Sequence, residues 1–260
     1  MHLAVGSSSS PTAARLVGLF RSPSNFQSCS LLRINPVDGT NVTLTSAVSA
    51  CSALSTTYPA FSALLPNRKQ LAVAIASAPA IYAYDVNTGA ESLVAPLPAY
   101  NNSDPYVGLV SLPSGLLLLV TQYHIYNVVN GNLTLLASVN LPASSVVTTV
   151  PGGGVAGKGQ LLIADESSTV LYVIDLANPG VATHVATSVS RPMDLQYSIA
   201  NKLAIELASY QLFTVDVASV GSAGSCRAVF RRMTPHSCTR THAVLALPSS
   251  HVTRRVQVRR

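Results

Sequence analysis

The chain has 260 residues, of which 48% are hydrophobic and only 10% charged, against roughly 25% charged in an average soluble protein. That balance supports a large buried core and excludes a disordered chain. No apolar run approaches the ~20 residues of a helical membrane span; the longest, Leu116–Val120, is strand length. The net charge of +6 is unevenly placed, since residues 1–221 hold eight basic and ten acidic residues while residues 222–260 hold eight arginines and no acid. Such an asymmetry describes the end of the chain and says nothing about the partners of its body.

The opening "MHLAVGSSSSPTAARLVGLFRS" lacks the basic leader and continuous apolar segment of a signal peptide. Its "HLAV" and "ARLVGLF" read as inner strands, so that residue 1 falls inside a repeating unit. A motif then recurs: "LLRINPVDG" from Leu31, "IYAYDVNTG" from Ile81, a degenerate "IYNVVNG" from Ile125, "LYVIDLANPG" from Leu171 and "LFTVDVASVG" from Leu212. The starts lie 41 to 50 residues apart, the range of propeller blades. Each copy is an alternating strand that enters a turn, with Asp or Asn positioned to bond its own turn backbone and Gly supplying the positive φ. Asp85, Asp175 and Asp216 recur for that reason. A second strand follows each turn, as in "NVTLTSAV" and "AESLVAPL". A strand–turn–strand segment precedes it, as in "AFSALLPNRKQLAVAIAS" and "YVGLVSLPSGLLLLVTQ". Each unit therefore has four short antiparallel strands.

The segment "VPGGGVAGKGQLLIAD" (150–165) contains G-x-x-x-x-G-K, most of a phosphate-binding loop. That loop must lead from a strand into a helix. Here Pro151 aligns with Pro66 and Pro113, Leu161 opens a strand as Leu71 does, and Gly159 stands where Ser or Thr would reach Mg²⁺. The segment reads as a lengthened turn between two strands.

The hairpins "IYAYDVNTG" and "LYVIDLANPG", with "DPYVGL" (104–109) and "RPMDL" (191–195) resembling the Pro that begins an innermost strand, are similar to blades of the NHL, YVTN and SMP-30-type β-propellers. The resemblance covers roughly residues 1–220. It implies an all-β, propeller-like fold of about five four-stranded antiparallel blades, approximately residues 1–50, 51–98, 99–140, 141–188 and 189–221, and incomplete as a ring. Residues 222–260 form a basic, Arg-rich tail without the repeat signature. Such a tail could bind nucleic acid, but Lys-free, Arg-rich sequence also arises where a gene model runs out of frame, so nucleic acid is not the expected partner.

Propellers of these families place their sites at the turns between second and third strands and at the linkers between blades. Those positions hold Asn102, Tyr123, His124 and Arg191, which define a candidate binding face, and the carboxylates Asp104, Asp165, Glu166 and Asp194. In SMP-30-type enzymes carboxylates and an Asn hold a metal, so the resemblance implies a candidate Ca²⁺ site there. No C-x-x-C, H-x-x-x-H or G-x-S-x-G supports catalysis, and no catalytic residue or resident cofactor is expected.

Sequons at Asn41, Asn101 and Asn132 would be glycosylated in a secretory compartment. Cys29 and Cys51 flank the first hairpin, and counting outward from its turn brings them nearly opposite each other, compatible with a disulfide. Both features favour an extracellular location. The chain thus reads as a non-catalytic scaffold that offers a loop-rich face to a protein or glycan. The alternatives are a metal-dependent, SMP-30-like lactonase or hydrolase, and nucleic-acid binding through the tail.

Overall fold

The computed structural model describes residues 2–7, 14–21, 29–35, 38–46, 48–51, 60–67, 69–76, 78–150, 159–165, 170–187, 192–198, 203–208 and 211–216, with the pairs 231–232, 242–243 and 256–257. Among the described residues, five four-stranded sheets follow one another in sequence, each running in sequence order from first strand to fourth. The first comprises β1 (His2–Ser7), β2 (Ala14–Arg21), β3 (Cys29–Ile34) and β4 (Asn41–Thr45). The second comprises β5 (Ala60–Leu64), β6 (Gln70–Ile75), β7 (Ala80–Asp85) and β8 (Glu91–Pro96). The third comprises β9 (Tyr106–Ser111), β10 (Leu117–Thr121), β11 (His124–Val129) and β12 (Asn132–Ser138). The fourth comprises β13 (Val146–Val150), β14 (Gln160–Asp165), β15 (Val170–Asp175) and β16 (Ala182–Thr187). The fifth comprises β17 (Pro192–Ser198), β18 (Leu203–Ala208), β19 (Gln211–Asp216) and β20 (Arg231–Arg232). β20, drawn from the basic tail, pairs with β19 through only two residues.

The chain divides into two compact units, residues 1–120 with 126–135 and residues 121–125 with 136–260. Within the first, β5 lies beside both β1 and β9, so the innermost strands of successive sheets are neighbours. In the second, β13 lies beside β17 in the same way.

The second sheet shows why its strands are apolar on both faces. Leu71, Val73 and Ile75 of β6 pack with Val17, Leu19 and Leu31 of the first sheet. Ala72, Ala74 and Ala76 pack with Tyr106, Leu109, Leu117 and Leu119 of the third. Period-two alternation therefore separates large residues from small ones, rather than apolar from polar. The alanine face leaves room for the bulkier side chains of the neighbouring sheet.

The turns use the chemistry expected of them. Asp85 Oδ1 accepts hydrogen bonds from the backbone of Asn87 (2.8 Å) and Thr88 (2.8 Å), and these amides hold its carboxyl below the usual range. Asp175 Oδ1 accepts from Ala177 N at 2.8 Å. In the first hairpin the acceptor is Asp38, bonded by the hydroxyl (2.7 Å) and amide (2.8 Å) of Thr40, while Asn35 donates to it at 3.0 Å. Asn130 (φ 49°) and Gly131 (φ 77°) form the two-residue turn from β11 to β12. The strands on either side of the glycine-rich segment pair antiparallel, Val150 with Gln160, so a strand and no helix follows at Gln160–Asp165. Residues 151–158 themselves lie outside the described residues.

A β-bulge recurs between third and fourth strands, and simple alternation does not anticipate it. The register shifts at Leu31/Leu32, Ile81/Tyr82 and Leu171/Tyr172. The extra residue is apolar each time, namely Leu44, Val94 and Val185. Leu44 packs into the core between the first and second sheets, and Val94 into the core between the second and third. The next sheet's outer turn meets the first two of these bulges through a glycine. A Cβ on Gly89 would lie 2.8 Å from the carbonyl oxygen of Leu44, and one on Gly131 would lie 3.7 Å from that of Val94.

Cys29 and Cys51 are joined, with Cα atoms 6.0 Å apart. They do not face each other along a ladder, because pairing of β4 ends at Thr45. A single 3-10 turn, Ser49–Cys51, carries Cys51 back to the start of β3. That turn also ties the first sheet to the second. Ser49 N donates to Glu91 Oε2 (3.0 Å) and Ala50 N to the Tyr84 hydroxyl (3.3 Å). Burial raises the Tyr84 pKa and so keeps the hydroxyl protonated, with its proton toward Glu91. Burial pushes the Glu91 carboxyl up, but hydrogen bonds from Ser49 and Tyr84 outweigh it and hold the carboxyl below its ordinary value.

Two predictions follow from these contacts. Gly89→Ala meets both positive φ and a backbone atom, so urea unfolding will show a loss of about 2 kcal/mol or more. Gly131→Ala meets only the φ strain and will lose about 1 kcal/mol. Because the folded pKa of Glu91 is depressed, its contribution is complete above the unfolded value of about 4.3 and disappears as pH falls through the folded one. Glu91→Gln will therefore destabilise at pH 7 by up to about 1 kcal/mol, the effect being limited by solvent exposure, and the difference between the two proteins will shrink as pH is lowered below about 4.3.

Candidate binding face

In the second and third sheets the turn from second to third strand and the linker leaving the fourth strand lie at the same end. In the first unit, hydrogen bonding joins the two directly, because Leu97 N donates to Pro79 O at 2.8 Å. The linker from the second sheet to the third, residues 97–105, is the longest fully described one. Its framework is aromatic. Tyr106, the first residue of β9, is 4% exposed and donates its hydroxyl proton to Pro98 O at 2.7 Å. Tyr100 meets it edge to face, with centroids 5.6 Å apart and planes at 89°. Tyr126 of β11 packs against the same core. Burial, with the charges of Tyr126, Asp104 and Tyr100 behind it, pushes the Tyr106 hydroxyl up to about 12. Tyr126 is raised by burial and then by Asp104. Both remain neutral donors at physiological pH.

On this framework sits a polar tip. Asn101 Oδ1 accepts from the amide (3.0 Å) and hydroxyl (2.7 Å) of Ser103, and Asp104 N donates to Asn101 O at 3.0 Å. These bonds fix the linker backbone while the Asn101, Asn102 and Ser103 side chains remain exposed and Asp104 half-exposed.

The second unit holds the remaining described candidates. Gln122 and Tyr123 form the turn between β10 and β11. Thr121 closes it by accepting from His124 N (2.9 Å) and donating to His124 O (3.1 Å). Gln122 Nε2 donates to the Tyr123 hydroxyl at 3.1 Å, and Tyr123 is 39% exposed. The following linker runs alongside, with Val139 N donating to Tyr123 O and Leu141 N to Gln122 O, both at 2.8 Å. Asp165 ends β14 opposite Val170 and is 2% exposed, so it is enclosed by protein. Asp194 follows Pro192 at a register shift in β17 and pairs with Leu207. Glu166, Arg191 and the side chain of Asp194 lie outside the described residues. Asp104 belongs to the first unit and Asp165 and Asp194 to the second. Among the described residues no three His, Cys, Asp or Glu gather as a metal site would require.

Strand periodicity and turn residues do not point to the ordered linker that the tyrosines support. The signal was local: "AYNNSDPY" sets polar residues between two tyrosines that meet as a pair.

No family model matches the chain, and no curated protein matches it significantly. Solved structures do. Nidogen, in a crystal structure of the nidogen/laminin complex, aligns with a TM-score of 0.53 at 13% identity, over 86% of this chain and 92% of that one. An inactive variant of virginiamycin B lyase from Staphylococcus aureus, solved with quinupristin, aligns with a TM-score of 0.54 at 12% identity, over 93% of this chain and 71% of that one. An auxiliary nutrient binding protein from Bacteroides ovatus aligns with a TM-score of 0.52 at 13% identity over 75% of this chain, which spans about half (53%) of that protein's length. Identities this low speak for fold alone. The repeated four-stranded antiparallel sheets, neighbouring one another through their innermost strands within each unit, give this chain the β-propeller fold.

Proposed function

We propose that the chain is a non-catalytic binding module, and that residues 97–105 are part of the surface it presents to a protein or glycan partner. The observation that carries this reading is the pairing of a rigid tyrosine framework with an exposed Asn-Asn-Ser-Asp tip. Rigid aromatics supply contact area at little entropic cost, and short polar residues supply adaptable hydrogen bonds; antibody loops use the same division of labour. Propeller relatives with binding roles agree with it: one aligned structure is of a nidogen/laminin complex and another is named as nutrient binding.

We further infer an extracytoplasmic, glycosylated protein. Support comes from the joined Cys29 and Cys51, which would persist in an oxidising compartment, and from the exposure of all three sequon asparagines.

The purified protein, screened against a glycan array and a panel of extracellular domains, will bind a defined ligand. Asn102→Ala combined with Asp104→Ala will weaken that binding at least about 10-fold, or 1.4 kcal/mol, with an unchanged thermal melt. Binding indifferent to these changes, or none at all, would remove the linker from the function. The cysteine pair has its own check: alkylation and mass spectrometry of the native protein will find Cys29 and Cys51 protected. Reduction will lower stability by about 3 kcal/mol in the loop-entropy model for their separation of 22 residues.

A further inference from the structure

The fourth strand of each sheet is an edge, and an exposed edge is a template for pairing with another chain unless something blunts it. In the first unit, β4 and β8 each carry a bulge, and β8 adds two further devices, Glu91 at its start and Pro96 at its end. β4 ("NVTLT") and β12 ("NLTLLAS") carry neither charge nor proline. They also expose apolar side chains, with Val42 52% and Leu135 57% exposed. At the position where β8 has Glu91, just after the outer turn, β4 has Asn41 and β12 has Asn132. Both asparagines are exposed and both open an Asn-x-Thr sequon. Val42 adjoins the first, and Leu135 lies about 10 Å from the second at ~3.3 Å per residue. The third sequon, at Asn101, is in the linker at the other end of the sheets and adjoins no edge strand.

We propose that N-linked glycans on Asn41 and Asn132 cap the edges of β4 and β12, the task Glu91 and Pro96 perform on β8. The proposal rests on the extracytoplasmic placement given above. Its chemistry is transfer from a lipid-linked oligosaccharide: a bond forms between Asn Nδ2 and the anomeric carbon, the bond from that carbon to the diphosphate oxygen breaks, Nδ2 loses one proton, and the lipid diphosphate leaves. A glycan is bulky and solubilising, and one anchored at the first residue of a short strand shields the backbone groups and apolar side chains that follow.

The full chain is produced behind a secretion leader in mammalian cells, so that the outcome does not depend on the compartment assigned to the native protein; fractionation of native protein tests that separately. Peptide mapping after enzymatic deglycosylation will find Asn41 and Asn132 converted to Asp. Asn41→Gln with Asn132→Gln will self-associate in size-exclusion chromatography, and its monomer yield will fall several-fold. Asn41→Glu with Asn132→Glu will restore the monomer, because charge substitutes for the glycan, and this distinguishes loss of a cap from loss of folding. Either asparagine unmodified, a Gln variant as monomeric as wild type, or a Glu variant that associates as the Gln variant does would overturn the proposal. Modification at Asn101 alone would overturn it too, while showing that the chain had been exposed to the transferase.

Discussion

The close approach of one sheet's outer turn to the preceding sheet's bulge sets the spacing in the described part of the first unit. Leu44 and Val94 are extra residues in their strands, and the bulge turns each side chain into the neighbouring core. Their carbonyl oxygens then face Gly89, where a side chain has no room, and Gly131, where one would make only ordinary contact. A bulge also raises local twist and bends the strand. One irregularity thus does three things: it fills the core between sheets, seats the next turn, and turns an edge out of line.

The linker of residues 97–105 depends on that spacing at one remove. Alanines on one face of β6 let the third sheet approach closely enough for Tyr106 to be buried at the junction. Once buried, its hydroxyl needs a partner and finds it in Pro98 O, which fixes the root of the linker. Packing inside the fold therefore determines the geometry of a polar loop outside it. The 3-10 turn plays the same part between the first and second sheets. It is held by the cysteine pair and by Tyr84 and Glu91.

The repeat made the strands legible, because Asp85 and Asp175 mark turns whose hydrogen bonds are local. The same locality separated the glycine-rich turn from a phosphate loop. What escaped was non-local. Nothing near Leu44 in the chain announces a bulge; the reason lies in the glycine of a turn some forty residues later. Cys29 and Cys51 were matched by counting along a ladder, whereas a turn beyond the ladder brings them together. Of the candidate site, the linker position of Asn102 and Asp104 was readable. The tyrosine framework was not, because Tyr106 and Tyr126 are twenty residues apart and meet only through sheet packing. The enclosure of Asp165 was equally hidden, since burial of a strand-end carboxylate is decided by its surroundings.

The large and small faces of β6 carry one more consequence. With Leu71, Val73 and Ile75 toward the preceding sheet and Ala72, Ala74 and Ala76 toward the following one, the second sheet has a front and a back that do not fit themselves. Units of this kind stack head to tail in a single sense. A duplicated segment can lengthen such an array only if it enters in the parental orientation, which tandem duplication of the coding sequence supplies without further adjustment. The alternation of large aliphatic residues with alanine over residues 71–76 thus gives this sheet its direction.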